Sequence, residues 1–106
     1  MSLKWPNKDP DEVVDYSMDW SRFLNGATIG NATWFVDASD GVKTQLAPSG
    51  AVINGIQLVS ATSTDTVTTA RLGSGIHNRQ YKITCQITER NGLVVERSVR
   101  LRVRNK

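Results

Sequence analysis

One cysteine and one histidine in 106 residues remove whole classes of chemistry. Cys85 alone forms no internal disulfide, and one Cys with one His is too few for a structural zinc site. A Ser-His-Asp triad would need His77, which sits in the glycine-flanked stretch Ser74-Gly75-Ile76-His77-Asn78-Arg79 and reads as a solvated loop histidine. There is no GxGxxG; Gly73-Ser74-Gly75 is followed by no helical pattern that would present an N-terminus to a phosphate. Asp15 with Asp19, or Asp9 with Asp11, are paired carboxylates on paper. At such spacing on a strand they lie side by side and leave no cleft for a sugar. The acids at 9, 11 and 12 lack the spacing and turn glycine of a calcium loop. The chain reads as non-catalytic, with no metal and no cofactor.

Long apolar runs are missing too. Nothing approaches the ~20 residues of a membrane span, and Met1-Ser2-Leu3-Lys4 lacks the apolar core of a signal peptide. A soluble chain made in the cytoplasm is expected, with no membrane partner. Charge is small in sum, +3, but unevenly placed. Residues 1–40 hold seven acids and three bases, −4; residues 41–106 hold ten bases and three acids, +7. Such halves can lie side by side and neutralise each other, can mark a nucleic-acid patch, or can join successive copies in an assembly.

What is present is period two. Tyr81, Ile83, Cys85 and Ile87 alternate with polar residues, and so do Val95, Val99, Leu101 and Val103. A three-residue loop Arg90-Asn91-Gly92, with Gly92 left-handed, sets odd positions opposite odd and gives the hairpin one apolar face; a two-residue loop would not. Arg97 breaks the inward row and is expected at a rim. Val14, Tyr16, Met18 and Trp20 alternate with Asp15, Ser17 and Asp19 in a first core strand, and Ala32 to Val36 form a second with Trp34 inward. Ser21 to Gly26 reads as a single turn, with Phe23 or Leu24 plugging the end. Residues 42–55 read as a long loop or irregular edge, and two further strands flank a polar turn near Thr64-Asp65.

About seven short strands without an amphipathic helix predict an all-β, immunoglobulin-like antiparallel sandwich with no disulfide. Trp34 is placed as the core tryptophan and Tyr81 as a tyrosine corner. Residues 1–12, with two prolines and several charges, read as an extended N-terminal arm or edge segment, and 13–106 as a single sandwich domain. Arg100, Arg102 and Arg104 form a basic ladder on an outer face. It lacks interleaved aromatics, so nucleic acid is not the expected partner.

Residues 5–24, WPNKDPDEVVDYSMDWSRFL, resemble the opening of a family of short tailed-phage and prophage proteins, the fibre–tail adaptors. Tyr81-Lys82-Ile83-Thr84, Glu96-Arg97-Ser98 and Arg102-Val103-Arg104 extend the resemblance to the C-terminus. The resemblance implies a virion structural protein without catalytic residues, joining tail and fibre components. The partner-binding positions expected from it and from the ladder are Lys8, Asp9, Asp11, Glu12, Asp19, Arg100, Arg102 and Arg104. Self-association is a further expectation. The alternatives are a capsid decoration protein, or a carbohydrate- or cell-surface-binding module. The last would want exposed aromatics, for which Trp5 and Phe35 are the candidates.

Overall fold

The computed structural model describes residues 3–38 and 41–105. In chain order they form β1 (Leu3–Lys4), β2 (Val14–Asp19), a four-residue helix α1 (Ser21–Leu24), β3 (Ile29–Asp37), β4 (Lys43–Leu46), β5 (Ile56–Ser63), β6 (Val67–Ser74), β7 (Arg79–Glu89) and β8 (Val94–Val103). One sheet has the order β1-β8-β7-β3-β4 and the other β2-β6-β5. The chain changes sheets after β1, β2, β4 and β6, and the crossings after β2, β4 and β6 are those of the immunoglobulin arrangement. Among the described residues seven strands are paired antiparallel; β1 alone pairs parallel, with Leu3 opposite Val99 and Lys4 opposite Arg100.

The β7–β8 hairpin follows from its loop. Ile87 faces Val95 and Tyr81 faces Leu101, odd opposite odd. Glu89 N–H donates to Leu93 C=O and Gly92 N–H to Glu89 C=O, closing a three-residue loop with Gly92 at φ 93°. Tyr81, Ile83, Cys85 and Ile87 therefore share one buried face with Val99, Leu101 and Val103. On β2 the buried row is Tyr16 and Met18, continued by Trp20, while Asp15, Ser17 and Asp19 face out. The two rows meet across the sandwich.

Polar bonds fix the centre of that core. Trp20 Nε1–H donates to Thr68 Oγ1 at 2.9 Å, and the Cys85 thiol reaches the same oxygen at 3.6 Å. Burial pushes the Cys85 thiol up to about 11, against the smaller opposing effect of the Thr68 hydrogen bond. Trp34 is 2% exposed beside Cys85 in the ladder. Tyr81 OH donates to Asn54 C=O at 2.8 Å and accepts from Ile76 N–H at 3.1 Å, so it ties the β6–β7 connection to the strand as a tyrosine corner does. At the hairpin end Leu24 is the plug, and Phe23 is 52% exposed. Asn25 and Gly26, both at positive φ, end α1.

The N-terminal segment is the main revision of the core. Trp5 is buried, not an exposed aromatic: it stacks on Tyr16 with ring centroids 4.7 Å apart and lies 6.2 Å from Trp34. Its indole Nε1–H reaches Ser17 C=O at 3.4 Å. Trp5 N–H donates to Arg100 C=O, Lys8 N–H to Arg102 C=O, and Arg104 N–H returns to Lys8 C=O. Residues 3–8 thus run along the β8 edge, and the two prolines fall where no ladder donor is needed.

Candidate docking surfaces

The acidic segment after β1 is a self-satisfied turn. Asp9 N–H donates to Glu12 Oε1 and Asp11 N–H to Asp9 Oδ1, each at 2.8 Å, while Glu12 N–H donates to Asp9 C=O at 3.0 Å. Short acidic side chains bond nearby backbone in this way and hold a turn in shape. Lys8 is fully buried, and its ammonium donates to the carbonyls of Asp9 and Ser74, joining the turn to the end of β6. Asp11 is exposed. Asp19 Oδ1 accepts from Ser21 N–H at 2.9 Å, and that bond leads the influences holding its carboxyl below the usual range. Of these acidic-segment positions only Asp11 presents a carboxylate that no described group engages.

The basic positions fall elsewhere. Arg100 and Arg102 lie in β8 and point to the outer face of the five-stranded sheet, Arg100 exposed and Arg102 half-buried. Arg104 follows the last strand residue and is exposed. Sequence reasoning missed two members of this surface. Lys4 stands opposite Arg100 from β1, and Lys82 stands opposite it from β7, both exposed. The hairpin register set by the three-residue loop already puts Lys82 opposite Arg100, whereas Lys4 depends on a parallel pairing that no local pattern signals.

A second surface lies at the hairpin end. Phe23 carries the Arg97 guanidinium 4.9 Å from its ring centroid, and Arg97 Nη1 donates to Asp19 C=O, which places Arg97 at the rim. Leu93 and Val94, at the hairpin loop, are 60% and 57% exposed. Lys4, Trp5, Ser17, Met18, Asp19, Arg97 and Val99 line a shallow groove between the β8 and β2 edges. The other aromatic outside the core, Phe35, is half-buried with the Lys43 ammonium 4.8 Å from its ring centroid. A flat patch of exposed aromatic rings is absent among the described residues. His77 is exposed, and its Nδ1 accepts from Asn105 N–H at 2.9 Å.

The described residues thus form a disulfide-free immunoglobulin-like sandwich with tied loops, a basic sheet face and an apolar tip. Residues 8–102 match the family described as podophage GP4 fiber-tail adaptor protein gp77. The chain belongs to that family and so to the structural proteins of tailed phages. No curated protein matches the sequence.

Proposed function

We propose that the chain is a non-catalytic adaptor in the virion, joining tail and fibre components through protein–protein contacts, and that it is synthesised in the cytoplasm of the bacterial host. The observation that carries this reading is the family match across residues 8–102, which runs from Lys8, before the acidic turn, to Arg102 in β8 and covers every strand but β1. The architecture supports it. Residues 3–8 brace the β8 edge and Lys8 pins the acidic turn, so the module is a stiff spacer rather than a bead on a loose arm.

Lys8, Asp9, Glu12 and Asp19 serve docking by holding the turn and the start of α1 in shape. Asp11, Arg100, Arg102 and Arg104 make direct contacts. Binding to nucleic acid is not part of the proposal, because the basic face offers no row of rings for bases to stack on. The test is removal of the gene from the source prophage. Tailed particles that lack fibres, restored by the gene in trans, are expected. Fully fibred particles would refute the reading, and heads that lose stability with fibres intact would point to capsid decoration.

A further inference from the structure

We infer that the outer face of the five-stranded sheet, at Lys4, Lys82, Arg100 and Arg102, is the docking surface for a carboxylate-rich segment of a different virion protein. The register places Lys4, Arg100 and Lys82 side by side on three adjacent strands, with Arg102 and its partner Gln80 two residues along. Strands lie ~4.8 Å apart and alternate residues ~6.7 Å apart, so the four cations stand over a patch of roughly 10 by 7 Å.

Like charges directly opposite in a ladder destabilise it, and no ion pair among the described residues relieves this row. The ion pairs among the described residues are Lys43–Glu96 and Arg71–Asp15, and neither includes a member of it. Asp37, which ends β3 near Lys82, makes no ion pair there. Arg102 Nε–H is shut off from solvent with no acceptor. A buried donor without an acceptor is costly, and an outward turn of the half-buried Arg102 side chain onto a docked carboxylate removes that cost.

The occupant follows from what else is on the molecule. The aromatic ring on this face, Phe35, is half-buried beneath Lys43, which leaves bases nothing to stack on and favours carboxylate over nucleic-acid phosphate. A second copy of this chain is a poor fit. Among the described residues its acidic half uses Asp9, Glu12, Asp15 and Asp19 on its own backbone and on Arg71, which leaves Asp11 and Asp37 as separate single carboxylates on different elements and not as a row. On a helix of another protein, acids three or four residues apart stand ~5–6 Å from each other, close to the spacing of the basic row. The inference rests on the adaptor reading and supplies the chemistry of one of its contacts.

The test uses deca-glutamate and deca-thymidylate as probes for the purified, isotopically labelled chain at low salt. Deca-glutamate is expected to shift the amide resonances of Lys4, Lys82, Arg100 and Arg102. Lys82→Glu should weaken that binding about tenfold or more. It should also raise Tm, because the new carboxylate faces Arg100 across the ladder. In particles, the wild-type chain supplied in trans should join tails, while a folded Lys82→Glu/Arg100→Glu double variant should not. Tighter binding of deca-thymidylate, resonance shifts confined to other surfaces, or a double variant that joins tails normally would overturn the inference and leave the adaptor reading intact. Failure of the wild-type chain to join tails would overturn the adaptor reading itself.

Discussion

Replacing Trp5 with alanine tests whether the N-terminal segment belongs to the core. The indole is 9% exposed, stacks on Tyr16 and lies against Trp34. A tryptophan of this burial removes about 200 Å² from water, worth on the order of 5 kcal/mol at ~25 cal/mol per Å². Trp5 stands at the sheet edge, where water and a shifting β1 can fill part of the space, so the lower end of the usual range for aromatic truncation applies. The expected loss is about 3 kcal/mol. For a domain near 100 residues that is a fall in Tm of ~12–15 °C. The assay is thermal and urea unfolding followed by far-UV circular dichroism. Trp5→Phe is the control: it keeps a ring on Tyr16, gives up the bond to Ser17 C=O, and should recover more than half of the loss. A Trp5→Ala chain within about 0.5 kcal/mol of wild type, the range of ordinary surface changes, would refute the reasoning and make residues 3–8 a dispensable arm.

Three further outcomes follow from the same structure. Thr68→Val keeps the shape of a fully buried residue but strips Trp20 Nε1–H of its acceptor, and should cost about 1–3 kcal/mol in urea unfolding; a neutral result would mean the indole finds another acceptor. Burial holds the Cys85 thiol at about 11 and, aided by the Glu12 charge, the Tyr16 hydroxyl at about 12, whereas the unfolded chain ionises near 9 and 10. Their stabilisation is complete below pH 9 and is lost as pH rises toward 12, in total about 3–5 kcal/mol, so urea midpoints should fall across that window while Cys85 stays unreactive to thiol reagents in the folded chain at pH 8. Gly92→Ala meets no neighbour within 4 Å, yet forces a left-handed backbone on alanine, and should cost about 1 kcal/mol by the same assay without altering the β7–β8 register seen by NMR.

Which features were readable from the sequence follows the range of the interactions involved. The β7–β8 register follows from a three-residue loop and two alternating runs, all within 25 residues, and the inward row of β2 is equally local. Tyr81 and Trp34 were legible because a sandwich with these strand positions needs a ring at each. Trp5 was not. A tryptophan beside a proline in a charged stretch carries an exposed local signature, and its burial is decided by parallel pairing with residues some 95 positions away. Lys8 reads from the sequence as one more surface charge, and only the structure shows its ammonium serving two backbone carbonyls. Choosing Leu24 over Phe23 as the plug depended on the helical phase of a single turn, which four residues do not fix. The basic face was mostly legible: alternation gave Arg100 and Arg102, the loop-set register puts Lys82 opposite Arg100, and Lys4 alone joins them through a parallel pairing with no local signal.

The adaptor reading itself is tested most directly by fractionating particles induced from the source bacterium and assaying head, tail, fibre and free-protein fractions by mass spectrometry. The account predicts that this chain travels with tails or fibres at a fixed copy number. Recovery with filled heads, or only as free protein, would contradict it.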